Sequence, residues 1–325
     1  MAPPLLELKQ LQTYFFGAGG TRIVKAVDGV SFTLGEGETL GVVGESGSGK
    51  TVTSLSILRL LPTAARIVGG EILLDGDNLA AKSEREMQHI RGSQITMILQ
   101  DPMMSLNPLF TIGEQIAEPL RVHRRMRGSG LAERIKELLR GVRIPSPEIR
   151  MREYPHQMSG GMRQRIVGAI GISCEPRLLI ADEPTTSLDV TIQAQYLKLL
   201  KDIQRRAGLA MIFITHNIGI VARMCDKVGV MYAGRLVERA PVRTIFNRPA
   251  HPYTEALLQA VPKLTEKTDR LWSIEGQPPD LANLPPGCPF QPRCPKAEDR
   301  CQHEVPPEFQ LDENHYTRCW LWEKR

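Results

Sequence analysis

Short apolar runs recur at long intervals along the chain: Thr39–Gly44 (TLGVVG), Ile95–Leu99 (ITMIL), Leu178–Asp182 (LLIAD), Met211–Thr215 (MIFIT) and Val228–Tyr232 (VGVMY). They are rich in Val, Ile, Leu or Met and lack the polar alternation of a half-exposed strand. Each therefore predicts a strand buried on both faces. The inner runs lead into loops or helices, as a mostly parallel α/β sheet requires. The first 40 residues read instead as strand–turn–strand and predict an antiparallel edge. From about Met103 to Ile170 the periodicity is helical, clearest in Gly113–Met126 and Leu131–Val142, and predicts a helical subdomain inserted into the α/β core. Thirteen of the 24 prolines fall after Arg239. That shift divides the chain into a regular domain, residues 1–240, and a loop-rich region, residues 241–325.

Composition narrows the class without naming it. The 325 residues are 42% hydrophobic and 24% charged, ordinary values for a soluble globular protein. A net charge of +5 suits anionic ligands or a site near anionic lipid, and does not by itself indicate nucleic acid. No run of about 18 apolar residues is present, so no segment is expected to span a bilayer. The opening MAPPLLELKQ carries Glu7 early and has no basic start before a long apolar run, so no signal peptide is expected. A cytoplasmic chain keeps its thiols reduced, and the six cysteines are expected free or metal-bound.

The chemistry begins at Gly44–Thr51, GESGSGKT. It follows an apolar strand and precedes an apolar helix, the context a phosphate-binding loop needs. Gly44, Glu45, Ser46, Gly47, Ser48 and Gly49 supply backbone N–H groups that turn around phosphate oxygens. Lys50 adds a mobile positive charge, and the Thr51 hydroxyl a ligand for Mg²⁺. Asp182 ends the run LLIAD, where a carboxylate suits Mg²⁺. Glu183 follows as candidate general base or water-orienting group. Gln100 and His216 end two further apolar runs, and polar residues at the ends of parallel strands converge on the ligand crevice. Gln100 is a candidate for Mg²⁺ or water, His216 for the γ-phosphate. Taken singly, each of these four also reads as an ordinary turn or structural polar group. Ser159-Gly160-Gly161 at a helix start is a second anion-attracting N-terminus, and alone reads as a plain cap.

In this order the motifs resemble the nucleotide-binding subunit of an ABC transporter, over essentially the whole chain. The resemblance implies a Walker A stretch at Gly44–Thr51, a Q-loop residue at Gln100 and a signature at Ser159–Gly161 within MSGGMRQR. It also implies a Walker B stretch at Leu178–Asp182, a catalytic Glu183, a D-loop SLDV with Asp189, and a switch His216. Phe15, flanked by Tyr14 and Phe16, takes the place of the aromatic residue that stacks on adenine. In the family two such domains meet head to tail, and each signature closes on the ATP held by the other. Met158, Met162 and Asn217 depart from the usual residues; none removes a catalytic group.

QDPMMSLNP, YPHQMSGGMRQR, DEPTTSLDVTIQAQ and HPYTEALLQAVP (His251–Pro262) resemble the oligopeptide/dipeptide class of importer ATPases. This implies a homologous second ATPase subunit in a heterodimer, two membrane permeases and an extracytoplasmic binding protein. The chain would lie at the cytoplasmic face of the inner membrane, with no nucleic-acid partner. Met103, Met104, Leu106 and Leu109 would offer an adaptable apolar surface to the permeases. Peptides are the expected cargo, though the class also carries nickel chelates and glutathione. A soluble ABC protein acting on nucleic acid or ribosomes, with a zinc-binding tail, is the alternative. An exporter's ATPase is disfavoured by the tail.

Cys288, Cys294, Cys301 and Cys319 stand in the proline-rich region with gaps of five, six and seventeen residues. Four thiols where core is scarce suggest a metal staple. Structural zinc favours shorter gaps, whereas an iron–sulfur cluster tolerates varied ones. In the importer class the quartet resembles the ligand set of a [4Fe–4S] cluster; zinc and unligated thiols stay open. His303 and His315 are expected at the surface, and Cys174 and Cys225 in the core.

Overall fold

The computed structural model describes residues 3–17, 22–101, 105–186, 188–261 and 273–323. The chain divides into two units. One holds Met1–Gly35, Thr39–Ala81 and Phe213–Arg325, the other Glu36–Glu38 and Lys82–Ile212.

The first unit opens as the sequence predicts, on an antiparallel pair. β1 (Leu6–Phe16) runs against β2 (Ile23–Leu34), from Leu6 opposite Leu34 to Phe16 opposite Ile23. β3 (Thr39–Val43) is buried throughout, and α1 (Lys50–Leu58) follows the glycine-rich loop. β4 (Ala65–Leu74) and the two-residue β5 (Asp77–Asn78) extend the antiparallel sheet in the order β2-β1-β4-β5. The buried Thr13 of β1 and Ser56 of α1 share a hydrogen bond of 2.8 Å, which fixes the helix against the sheet.

The second unit is mainly helical between two short strands. α2 (Glu84–Ile90) is closed by a capping box of Ser83 and Glu86. β6 (Ile95–Ile98) pairs in parallel with a later strand, below. α3 (Ile112–Arg124) starts on a second box: Thr111 N–H donates to Glu114 Oε2 at 2.8 Å, and Glu114 N–H to Thr111 Oγ1 at 3.2 Å. Such a cap is worth about 1 kcal/mol. Ile112, Ile116 and Leu120 recur every four residues along the buried face of α3. α4 (Gly128–Gly141), the single turn α5 (Pro147–Arg150) and α6 (Gly160–Ile172) follow. β7 (Leu178–Asp182) is fully buried and pairs with β6 in parallel, Ile95 opposite Leu178. α7 (Val190–Ala207) ends at Gly208, which takes the left-handed conformation. Met103, Met104 and Ser187 lie outside the described residues.

The chain returns to the first unit within β8 (Ala210–Thr215). α8 (Ile218–Met224) leads to β9 (Lys227–Tyr232), parallel to β3 with Gly41 opposite Val228. β10 (Arg235–Pro241) turns back antiparallel on β9. Residue 240, the division expected from proline usage, falls inside β10. After α9 (Val242–Asn247), α10 (Pro252–Gln259) and the one-turn α11 (Arg300–His303), β11 (Phe309–Asp312) pairs with β12 (His315–Thr317), and β12 pairs with β10. The proline-rich region is thus built into the first unit's sheet. His315 is correspondingly not at the surface. It is 3% exposed, and its Nε2 meets Glu238 Oε1 at 2.8 Å. The expectation read polarity as exposure, and a partner 77 residues away gave it no local sign. His303 is exposed.

Candidate functional site

The phosphate loop is shaped by close backbone approaches. A β-carbon on Gly44 would lie 2.2 Å from Met231 O, and one on Gly49 2.2 Å from Ala26 O. Gly49 also has φ +103, a region L-side chains avoid. Lys50 is 6% exposed, and its Nζ donates to Gly44 O and Glu45 O at 2.8 Å each. Two carbonyls of its own loop thus hold the ammonium at the rim where the sequence places phosphate. Ser46, Gly47 and Thr51 are exposed, and Ser48 is buried. Glu45 is fastened to the C-terminal region: Arg293 Nη1 and Nη2 bind its two carboxylate oxygens at 2.7 and 2.9 Å.

Phe15 is half-buried near the end of β1. In β1 side chains alternate, so Phe15 shares the face of Thr13, which meets Ser56 of α1. Tyr14 and Phe16 face the other way and are engaged there. The Tyr14 hydroxyl donates to Asp28 Oδ1 at 2.7 Å; burial and that carboxylate push its pKa up to about 12. The Arg66 guanidinium stacks on Phe16 at 4.2 Å. His216 is exposed just beyond β8. Asn217 after it caps α8, its Oδ1 accepting from Gly219 N–H at 2.9 Å.

In the second unit Asp182 is 3% exposed at the end of β7. Glu183 stands directly after it with φ 45, a left-handed conformation costing a non-glycine residue about 1–2 kcal/mol. Two donors hold its carboxylate: Gln100 Nε2 at 3.1 Å and Thr186 Oγ1 at 2.9 Å, both to Oε2. The turn also closes through Thr186 N–H to Glu183 O at 3.3 Å. The structure therefore brings Gln100 and Glu183 together and adds Thr186. Sequence reasoning missed Thr186, although a hydroxyl three residues after a turn carboxylate is a local signal.

Ser159 caps α6, its Oγ accepting from Met162 N–H at 3.4 Å. The two glycines that open this helix differ. A β-carbon on Gly160 would meet nothing within 4 Å, whereas one on Gly161 would lie 2.7 Å from Ile192 Cγ2. Gly160 keeps an open face, and Gly161 lets α6 approach α7. Asp189 is the cap of α7, Oδ1 accepting from Thr191 and Ile192 N–H at 3.1 and 3.0 Å. Of the expected permease-facing residues, Leu109 is 82% exposed and Leu106 only 4%. Leu106 is therefore core, drawn in with the helices that follow it.

The four C-terminal cysteines line one cavity, with His251 and Phe290 in its wall. No disulfide joins them. Among the described residues no three His, Cys, Asp or Glu side chains form a group placed to hold a metal ion. Burial pushes the Cys288 thiol up to about 11 and Cys319 up to about 12. Cys174 and Cys225 are buried in the core. Among the described residues no helix is long and apolar enough to cross a membrane.

Known proteins resemble this chain in sequence and in fold. Residues 27–186 match the ABC transporter family, and residues 237–301 the oligopeptide/dipeptide transporter C-terminal region. The chain is 50% identical to a probable peptide ABC transporter ATP-binding protein of Sinorhizobium fredii, over 97% of its own length and 94% of the relative's. It is 48% identical to the dipeptide transport ATP-binding protein DppD of Bacillus subtilis, over 99% and 96%. Among solved structures, the dimeric ATP-binding cassette MJ0796 in a post-hydrolysis state bound to ADP and Pi superposes with a TM-score of 0.65. It is 26% identical, covering 73% of this chain and 99% of that one. The phosphate loop, the carboxylate pair and the signature helix thus stand in a chain that belongs to the ABC transporter family, as an ATP-binding subunit carrying the C-terminal region of the oligopeptide/dipeptide transporters.

Proposed function

We propose that the chain hydrolyses ATP to drive uptake of di- or oligopeptides through partner permeases. One observation carries the reading. Relatives named for peptide transport match nearly the whole chain, including the C-terminal region that sets this class apart. The Gly44–Thr51 loop, with Lys50, takes the triphosphate, Phe15 the adenine, and His216 the γ-phosphate. The donors Thr51, Asp182 and Gln100 offer a hydroxyl, a carboxylate and an amide oxygen, the hard set that Mg²⁺ prefers. When bound to such donors, magnesium would neutralise phosphate charge, and Glu183 would accept the proton of the attacking water. The second phosphate-seeking helix start, Ser159–Gly161, serves the nucleotide of a partner cassette in a head-to-tail dimer, with Asp189 near that junction. A homologous ATPase subunit, two permeases and an extracytoplasmic binding protein complete the transporter at the cytoplasmic face of the membrane. The exposed Leu109 and Phe110 suit contact with the permeases.

The cysteine cavity is read as the seat of a [4Fe–4S] cluster held by Cys288, Cys294, Cys301 and Cys319. What supports it is that four thiols, the ligand number of such a cluster, line one cavity. The cluster would act as a structural clamp on the proline-rich region. Two measurements test the proposal. Membrane pull-down of the tagged chain should recover permeases and a second ATPase, and labelled-dipeptide uptake should fail in cells carrying only Glu183→Gln. Recovery of nucleic acid in place of permeases would reverse the reading. Iron and acid-labile sulfide in anaerobically purified protein should reach about four each per chain for such a cluster; zinc, or no metal, would remove it.

A further inference from the structure

Glu45, the second residue of the phosphate loop, is tied down through every polar group it has. Its N–H donates to Tyr253 Oη at 2.9 Å. Its carbonyl accepts from Ser48 N–H at 3.2 Å and from Lys50 Nζ at 2.8 Å. Its carboxylate accepts the fork of Arg293. Two of these four partners, Tyr253 and Arg293, come from the C-terminal region, more than 200 residues along the chain (separations of 208 and 248).

Both anchors are themselves held by neighbours. Arg293 is 4% exposed at its side chain, and its remaining donors are engaged: Nε with Glu275 O at 2.9 Å, Nη1 with Tyr232 Oη at 3.3 Å, Nη2 with Ile274 O at 3.4 Å. A planar guanidinium fixed on all sides transmits position where a lysine would not. The Tyr253 ring packs on Tyr232 and Phe290, with centroids 4.6 and 5.4 Å away. Phe290 in turn is a wall of the cysteine cavity, and Arg293 directly precedes Cys294.

The consequence for the nucleotide lies in Lys50. Its ammonium rests on Glu45 O, so whatever sets the Glu45 peptide sets where Lys50 waits. The Tyr253 hydroxyl also claims the Glu45 N–H, which orients the first peptide of the loop and leaves the later N–H groups to turn inward on phosphate. We propose that Arg293 and Tyr253 are positioning residues of the ATPase reaction, which act through Glu45 to hold the phosphate loop and Lys50 in the conformation that receives ATP. Neither touches the nucleotide. This rests on the ATPase reading above and adds to it that the C-terminal region sets nucleotide affinity.

The test uses the full-length chain, with MgATP binding and steady-state hydrolysis measured in parallel. Lys50→Ala serves as the control that removes ATP binding. Arg293→Ala should raise Kd and KM for MgATP about fivefold, a modest coupling between linked sites, while kcat stays within about twofold. Glu45→Gln should raise KM similarly, and the double variant should be no worse than either single one. Should Arg293→Ala fail to fold, Arg293→Lys and Tyr253→Phe carry the test. A raised KM at an unchanged melting temperature supports the proposal, and an unchanged KM in both overturns it. A wild-type chain that binds no ATP would instead defeat the ATPase reading itself. Wild-type binding with additive losses in the double variant would defeat only this inference.

Discussion

Gln100 donates its side-chain amide to Glu183 Oε2 at 3.1 Å, so a residue just past β6 orients the carboxylate just past β7. Glu183→Gln preserves an oxygen able to accept this bond and the one from Thr186, yet removes the proposed base. Hydrolysis should fall about 10²–10⁴-fold, the usual weight of general base catalysis. ATP affinity should be retained, and the closed dimer should accumulate in size-exclusion chromatography with MgATP. Turnover near the wild-type rate would show that another group takes the proton.

Thr186 is a positioning residue for the same carboxylate. Its hydroxyl spans Glu183 Oε2 at 2.9 Å and Glu183 O at 3.3 Å, steadying a residue in left-handed backbone. Thr186→Val keeps the shape and loses the hydrogen bonds. A charge-assisted bond of roughly 1.5 kcal/mol corresponds to about a tenfold loss of kcat, with KM for ATP little changed. Thr186→Ser should restore most of it, and equal activity in Val and Ser variants would mean the hydroxyl is idle.

The signature glycines should separate by assay. Gly161→Ala drives a β-carbon to 2.7 Å from Ile192 Cγ2, and Ile is stiff at that bond. Overpacking of this kind costs about 1–3 kcal/mol, only partly offset by the better helix propensity of Ala. Ile192→Ala in the same chain should recover part of the lost stability. Gly160→Ala meets open space, so its melting temperature should hold or rise, while ATPase activity in the assembled dimer falls. Two variants with the same stability and the same activity would refute the division of labour.

Local spacing made much of this legible, and distance hid the rest. β3, β7, β8 and β9 lie within a residue of the apolar runs that predicted them, because strands buried on both faces need continuous apolar sequence. The Gly44–Thr51 loop was readable for the same reason: everything it needs lies within eight residues. The pairing of β10 with β12, the Glu238–His315 contact and the Arg293–Glu45 fork join segments 77 and 248 residues apart. No periodicity reports such contacts. Proline usage at residue 240 records the lack of regular structure. It does not record which segments pack together. The left-handed φ of Glu183 is different: its sign, the Thr186 hydroxyl three residues later, is local and was overlooked.

Burial of His251 makes an acid-sensitivity prediction. Its ring is 1% exposed and caps α10, Nδ1 accepting from Tyr253 N–H at 3.1 Å. Burial lowers its pKa to about 3, outweighing a hydrogen bond with the Arg318 backbone that acts the other way. The unfolded chain titrates near the ordinary 6.5. Between these values the unfolded state binds a proton that the folded state refuses, so stability is full above pH 6.5 and falls as pH drops toward 3. The slope approaches about 1.4 kcal/mol per pH unit, or roughly 2 kcal/mol lost by pH 5. His251→Asn offers a good cap and no such titration. Urea unfolding of both proteins at pH 7 and pH 5 isolates the contribution, because other titrating groups are shared. Wild type should lose about 2 kcal/mol more than the variant on acidification, and parallel losses would show that His251 takes up its proton without unfolding.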